Sequence, residues 1–155
     1  MNGKMTRGMR NNNPCNIRRS WTVNKKTGKR QEVIWKGSLP SKDPEFVRFK
    51  DNAHGYRAAF ITLNTYNTLH NLWSIRQIIS RWAPEKDKNN TQGYIRFICE
   101  HMGLEPNHTI VANSPYDEKQ EEAKEFVKWM AYQEQGLNVD IDLPAIEEGF
   151  RLAFE

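Results

Sequence analysis

The hydrophobic pattern of this chain changes its period near residue 54, and this change limits the folds that the chain can adopt. Before that point, short apolar segments in Ser20–Trp35 flank the turn-forming stretch Asn24–Arg30, which predicts a β-hairpin. Phe46–Phe49 alternates in polarity and predicts a short strand. From His54 onward, apolar residues recur at steps of three and four, which is typical of amphipathic helices. We therefore expect an α+β fold, mostly helical, with a small antiparallel β lobe near the N-terminus.

Five helices are predicted after that point from periodicity and capping residues. The predicted segments are 54–70, 75–83, 90–103, 114–135 and 143–154. We expect Asn90 or Thr91 to cap the third helix, Gly103 to end it, and Ser114 to cap the fourth. Residues 1–20 are polar and rich in Asn and Arg, so a loop is expected there.

The composition fits one folded domain over residues 1–155. The chain is 37% hydrophobic and holds five Trp, five Tyr and seven Phe, which is enough to build a core and excludes wholesale disorder. No apolar run approaches the length of a membrane span, so we expect no membrane insertion. The basic segment Met1–Arg10 is not followed by an apolar stretch, so no secretory signal is expected.

The sequence offers little to a metal or a cofactor. Cys15 and Cys99 cannot form a zinc site or a disulfide framework by themselves, and Cys99 falls in an apolar helical pattern typical of a buried thiol. The four histidines show no metal-ligand spacing, and they are interpreted as structural or exposed: His54, His70, His101 and His108. No phosphate-binding loop is present. We therefore expect neither a metal nor a cofactor.

One carboxylate in the fourth predicted helix lies on the wrong face. The apolar stripe of this helix consists of Ala123, Phe126, Val127 and Met130. Glu134 follows Met130 by four residues and Val127 by seven, so it falls within that stripe, in the last turn. Partial burial and the negative end of the helix dipole both favour the neutral acid, which is the form that a general acid needs. The alternative is a helix-end glutamate whose long stem lets its charge reach water.

The N-terminal segment Arg10–Arg18 reads Arg-Asn-Asn-Asn-Pro-Cys-Asn-Ile-Arg. It resembles the R-N-N-N-P-G-N-I-R signature of a phage and prophage family described as virion structural proteins. Further patterns of that family have counterparts over most of the chain, in Trp35–Gly37, Asp43–Phe49, Gly55–Ala58, Trp82–Pro84 and Asn89–Tyr94. Cys15 stands where the family pattern has Gly. If that position requires a positive φ, we expect the cysteine to cost stability or to shift the loop, and either to lower activity or to mark a variant that has lost catalysis.

A broader resemblance links Ala123–Gly136 to goose-type lysozymes and lytic transglycosylases. In that superfamily a helix ends in a catalytic Glu followed by a small residue, and here the segment ends Gln-Glu-Gln-Gly. Asn13–Arg18 looks like the turn that follows the catalytic helix in the superfamily, although here it precedes that helix in sequence. No helix is expected before Asn11. The resemblance thus implies a circularly permuted lysozyme-like fold, in which Glu134 docks beside Asn12–Arg18.

The resemblance also implies roles for individual residues in binding and cleaving an aminosugar strand. Glu134 would be the catalytic acid. The candidate substrate-binding residues are Asn12, Asn13, Asn16, Arg18, Trp82 and Tyr94. The three asparagines fit turn-stabilising roles equally well, and the two aromatic residues can belong to the core. A second carboxylate is sought among Glu32, Asp43, Glu45 and Asp51. If none of them faces Glu134, a single glutamate serves as acid and then as base, as in lytic transglycosylases.

The expected function is therefore a phage or prophage peptidoglycan hydrolase that cleaves β-1,4 aminosugar linkages. Its partners would be peptidoglycan glycan strands, with virion proteins or a holin as further candidates. It would lie in the host cytoplasm before lysis, or in the virion. Two alternatives stay open: a non-catalytic virion structural or wall-binding protein, and a nucleic-acid-binding protein that uses the basic, tryptophan-containing N-terminal third. Nucleic acid is the less favoured partner, because basic hairpins also bind wall polyanions.

Overall fold

The computed structural model describes residues 5–155. Within them, ten regular elements follow one another in this order: α1 Arg7–Arg10, β1 Trp21–Val23, β2 Arg30–Glu32, β3 Ser38–Leu39, β4 Arg48–Phe49, α2 Asn52–His70, α3 Ile75–Trp82, α4 Thr91–Met102, α5 Asp117–Gln135 and α6 Leu143–Phe154. A short 3-10 turn, Glu85–Asp87, joins α3 to α4. The predicted α+β fold with mostly helical content is confirmed.

The core forms where α2 and α5 pack against the other helices. Tyr56 and Phe60 on α2 and Phe126 on α5 are fully buried. Helix α6 lies close along α2 because Gly149 has no side chain: a Cβ there would lie 2.6 Å from Tyr56 Cβ. Phe60 meets Phe150 of α6 edge to face, with ring centroids 5.3 Å apart. Helices α2 and α6, the first and last of the helical region, therefore share one core.

Most helix ends lie where capping chemistry predicts them. The Asn90 side chain accepts a hydrogen bond from Gly93 N, and Gly103 ends α4 in the left-handed conformation, as predicted. The prediction for the fourth helix is wrong in one detail. Ser114 Oγ accepts a hydrogen bond from Tyr116 N within a preceding turn, so α5 begins only at Asp117 and has no side-chain cap.

The β lobe consists of two separate two-stranded antiparallel sheets. The predicted hairpin is present, with Trp21 opposite Glu32 and Val23 opposite Arg30. The predicted strand over 46–49 is shorter in the structure: β4 holds two residues and pairs with β3, while Phe46 makes an isolated bridge to Arg18. These pairings join the loop after α1 to the β lobe.

Within residues 5–20, one segment departs from the predicted loop. Helix α1 occupies one turn, and the Thr6 side chain caps it by accepting a hydrogen bond from Met9 N. Thr6 Oγ1 in turn donates to Gln135 Oε1 at the end of α5. The expectation that no helix precedes Asn11 is wrong because this turn is stabilised by a contact distant in sequence rather than by its own periodicity. The first four residues of the basic segment 1–10 lie outside the described residues.

None of the described helices is both long enough and apolar enough to cross a membrane.

Candidate active site

The carboxylate of Glu134 is held by three hydrogen-bond donors from three different segments. Asn16 Nδ2 donates to Oε1 at 2.9 Å. Trp82 Nε1 and Tyr94 OH donate to Oε2 at 3.2 and 3.0 Å. The donors come from the Asn-rich loop, the end of α3 and the first turns of α4, so they fix the position and plane of the carboxyl group.

Burial raises the pKa of Glu134 above its usual value, while the hydrogen bonds from Asn16, Tyr94 and Trp82 and the charge of Arg18 partly offset this effect. No Lys, Arg or His nitrogen among residues 5–155 lies within ion-pair distance of this carboxylate. Its position in the last turn of α5 also places it at the negative end of the helix dipole. Glu134 therefore keeps its proton at a higher pH than an exposed glutamate does.

The end of α5 docks directly on the Asn-rich loop. Gln135 Nε2 donates to Pro14 O at 2.8 Å and to Asn16 Oδ1 at 3.2 Å, and the second bond orients the Asn16 amide toward Glu134. Gly8 makes room for this contact, since a Cβ there would clash with Gln135 Nε2 and lie 2.6 Å from Asn16 Oδ1. The expected proximity of Glu134 to Asn12–Arg18 is thus present in the structure.

Glu134 opens into a cleft of about 490 Å³, which lies within the range of roughly 300–1,000 Å³ typical of ligand sites. One group of lining residues belongs to the Asn-rich loop and the β lobe: Asn16, Ile17, Arg18, Ser20, Trp35 and Phe46. The other comes from the helices and their connections: Thr62, Tyr66, Arg81, Trp82, Ala83, Pro84, Asp87 and Asn89. The cleft therefore combines four aromatic rings with hydrogen-bonding groups and two arginines.

The structure divides the predicted substrate-binding residues into two groups. Asn16, Arg18 and Trp82 line the cleft, so they are positioned to meet a ligand. Tyr94 is only 5% exposed and supports Glu134 from the protein interior. The prediction that Tyr94 contacts the substrate is corrected: its hydroxyl donates to Glu134 instead.

Asn12 and Asn13 do not line the cleft, and their prediction as sugar ligands is corrected. Asn13 is fully buried; its amide donates to Ile17 O and Val47 O and accepts from Ile17 N. Asn12 donates to Phe49 O and adopts a left-handed φ of 50°. Both side chains satisfy backbone groups of the β lobe, which is the turn-stabilising role that asparagine commonly fills.

The predicted second carboxylates also lie outside the cleft, because each is bound elsewhere. Their partners are as follows: Arg19 for Glu32, Arg7 and Asn11 for Asp43, Arg7 and Arg18 for Glu45, and His54 for Asp51. The Arg7 guanidinium holds the pKa of Asp43 well below its usual range. Asp51 caps α2 by accepting a hydrogen bond from His54 N. All four are corrected to structural roles.

Asp87 is the carboxylate that lines the cleft together with Glu134. It lies exposed in the 3-10 turn, and its side chain makes no hydrogen bond or ion pair with any described residue. Asp87 was not among the predicted site residues. The signal that could have found it is its position five residues after Trp82, which the resemblance had placed at the site.

Cys15 is fully buried in the core, and its φ is not positive. The left-handed conformations of this loop belong to Asn12 and Asn16, with φ of 50° and 53°. The position of Cys15 therefore does not require a positive φ, so the condition under which the cysteine would disturb the loop is not met, and its thiol does not line the cleft. Cys99 is buried, as predicted. In the described part of the chain, no cluster of His, Cys, Asp and Glu is arranged to hold a metal ion.

Comparison with known proteins connects the chain to a phage. No protein-family model matches it. Protein P5 of Pseudoalteromonas phage PM2 is 40% identical over 105 residues, which are 67% of this chain and 60% of protein P5. The match thus spans less than two thirds of that relative's length. The predicted phage association is supported by this finding: the chain is a homologue of a phage protein.

Proposed function

We propose that this chain is a peptidoglycan hydrolase of phage origin that cleaves β-1,4 linkages between aminosugars, with Glu134 as the general acid. The observation that carries the proposal is the environment of Glu134: a carboxyl group in an open cleft, oriented by three neutral donors and without an ion-paired cation among residues 5–155. A buried carboxyl with a raised pKa is protonated at a pH where an exposed one is ionised. That state is needed to protonate a glycosidic oxygen.

The hydrogen bonds indicate which oxygen carries the proton. Oε2 accepts bonds from both Trp82 and Tyr94, whereas Oε1 accepts one bond, from Asn16. The proton is therefore expected on Oε1, the oxygen with an unoccupied lone pair. The O–H of Glu134 donates this proton to the glycosidic oxygen as the bond from that oxygen to C1 breaks, and the leaving sugar departs as an alcohol. The carboxylate that remains is stabilised by all three donors.

The lining of the cleft suits an aminosugar strand. Trp35, Phe46 and Trp82 offer apolar ring surfaces, while Asn16 and Arg18 offer donors to hydroxyl and N-acetyl oxygens. The peptide stem of muramic acid carries carboxylates, and Arg18 and Arg81 would attract them. A strand lying along the cleft would meet these groups together with Glu134.

The second half of the reaction has two routes. In the first, a water molecule attacks C1 and gives a reducing end, and Asp87, which lines the cleft, would accept the proton of that water. In the other route, the C6 hydroxyl of the same sugar attacks C1, the ionised Glu134 accepts the hydroxyl proton, and a 1,6-anhydro end forms. The mass of the product distinguishes the routes by one water.

The test is digestion of purified peptidoglycan by wild type and by Glu134→Gln, with soluble products identified by mass spectrometry. Release by wild type and a loss of at least about 100-fold in Glu134→Gln are expected, as for removal of a general acid. Glu118→Gln, an exposed change on the same helix, is the matched control and should leave release unchanged. Circular dichroism and thermal unfolding establish that each variant is folded.

Equal release by wild type and Glu134→Gln would place the catalytic acid elsewhere and contradict this assignment. A folded wild type that releases nothing from walls of several bacteria would favour the non-catalytic virion or wall-binding role. Binding to the same walls without cleavage would indicate the wall-binding role, and a lack of binding would indicate the virion structural role.

A further inference from the structure

Positive charge is concentrated in the segment 18–36, which contains the β1–β2 hairpin. This segment holds seven Lys and Arg residues and one acidic residue, Glu32, giving a net charge of +6. The whole chain carries +4, so the rest of it is net negative, at −2. The net positive charge of the protein therefore comes from one surface element, which we call the basic hairpin (residues 18–36).

Most cations of the basic hairpin have no partner within the protein. Within residues 5–155, five of them make no side-chain hydrogen bond or ion pair: Lys25, Lys26, Lys29, Arg30 and Lys36. The Arg30 guanidinium lies 4.4 Å from the centre of the Trp21 ring, a cation–π contact that leaves its charge unneutralised. Lys25, Lys26 and Lys29 lie in the exposed connection between β1 and β2. These charges are free to meet an external anion.

Large apolar side chains are exposed among these cations. Val23 is 63% exposed, Ile34 75% and Trp21 37%. The antiparallel register places Val23 directly opposite Arg30, so Trp21, Val23 and Arg30 share one face of the hairpin. Residues on both faces of β1 are exposed, so neither face is covered by the core. The hairpin therefore presents an apolar surface next to a cluster of unpaired cations.

We propose that the basic hairpin docks on an anionic lipid surface. Unpaired lysines are attracted to acidic headgroups, each contributing about 1 kcal/mol near the surface, or about a fivefold gain in affinity. Tryptophan and aliphatic side chains of the same element enter the boundary between headgroups and acyl chains. The mixture of the two kinds of side chain fits this partner.

Two other polyanions fit the hairpin less well. A hydrophilic wall polymer would use the lysines but would leave Val23 and Ile34 in water. A single-stranded nucleic acid is bound by stacking of bases on free aromatic faces. The Trp21 ring instead has Arg30 and Arg19 against it, with Arg19 at 5.3 Å from the ring centre. Both partners serve as comparisons in the test.

The test is sedimentation of the full chain with vesicles of phosphatidylglycerol and phosphatidylethanolamine, against phosphatidylcholine vesicles. We expect binding to the anionic vesicles that weakens as salt is raised. The triple variant K25Q/K26Q/K29Q should bind about 100-fold more weakly. The matched control K50Q/K86Q/K88Q removes three exposed, unpaired lysines outside the hairpin and should bind like wild type. The variant K25R/K26R/K29R keeps the charge and should retain binding.

The apolar part of the proposal has its own measurement. Brominated lipids quench tryptophan fluorescence at the membrane boundary, so wild type should be quenched more than Trp21→Phe on the same vesicles. Val23→Ser should weaken binding at high salt, where the electrostatic contribution is screened.

Three outcomes would overturn the proposal. They are equal binding to phosphatidylcholine and anionic vesicles, an equal loss of binding in the hairpin and control variants, and tighter binding to single-stranded DNA or to lipid-free wall fragments than to anionic vesicles. None of these measurements depends on cleavage of peptidoglycan, so this proposal and the catalytic one succeed or fail separately.

Discussion

Replacement of Asn13 by Ala is expected to destabilise the fold by about 4 kcal/mol. The buried amide of Asn13 is bonded to Ile17 N, Ile17 O and Val47 O. Ile17 O keeps a second partner, Val47 N, at 3.1 Å. The change to Ala therefore leaves two backbone groups, Ile17 N and Val47 O, buried without their partner, at about 2 kcal/mol each. Since domains are typically stable by only about 5–15 kcal/mol, this is a large loss.

Urea unfolding followed by tryptophan fluorescence measures the loss as a change in midpoint at constant slope. Asn12→Gly is the matched control: it removes an amide that bonds one carbonyl, but a glycine keeps the left-handed backbone, so about 1 kcal/mol or less is expected. Asn13→Asp should be at least as harmful as Asn13→Ala, because a carboxylate has no N–H to give to the two carbonyls. A loss below about 1 kcal/mol for Asn13→Ala would refute the structural role of this amide.

Three further predictions concern the candidate site. Because burial raises the pKa of Glu134 in the folded state, its contribution to stability is present below the pKa of the unfolded glutamate and is lost as the pH rises through the folded pKa. The free energy of unfolding of wild type, relative to Glu134→Gln, should thus fall as the pH rises above the pKa of the unfolded glutamate in urea titrations, and a constant difference would contradict the raised pKa. Asp87→Asn should lower the rate of peptidoglycan release by about 100-fold if water attacks C1; retained release with 1,6-anhydro products would show that Glu134 acts alone. Gly8→Ala should push Gln135 away from Asn16, lower the free energy of unfolding by about 1–3 kcal/mol in urea and reduce release of wall fragments. An unchanged stability and rate would show that Gln135 can move aside without cost.

Sequence periodicity predicts the helices because their ends and apolar faces are encoded locally. The cap at Asn90 and the glycine at 103 act within a few residues, so α4 is predicted almost to its ends. Glu134 stands out for the same reason: its place in the apolar stripe of α5 is a property of one helix. The pattern alone thus singles out Glu134, while its choice as the candidate acid, rather than an exposed helix-end glutamate, depended on the resemblance.

The rest of the site depends on contacts between distant segments. Asn13 and Asn16 are neighbours in one asparagine-rich loop, yet one is bonded to the β lobe and the other to Glu134. Nothing local distinguishes them, because the difference arises from where α5 and β4 approach the loop. The same holds for Asp43, which was expected as a catalytic candidate and is neutralised by Arg7, 36 residues away. Asp87 was overlooked because a polar turn residue has no periodic signature.

The hydrogen bond between Asn16 and Glu134 joins residues 118 positions apart. During synthesis, the loop that carries Asn16 leaves the ribosome long before the end of α5 does, so the two halves of the site stay separate until nearly the whole chain is available. The carboxyl of Glu134 remains solvated over that period, with the ordinary acidity of a free side chain. A nascent or truncated copy would therefore lack the raised pKa of Glu134 until the chain had closed on itself.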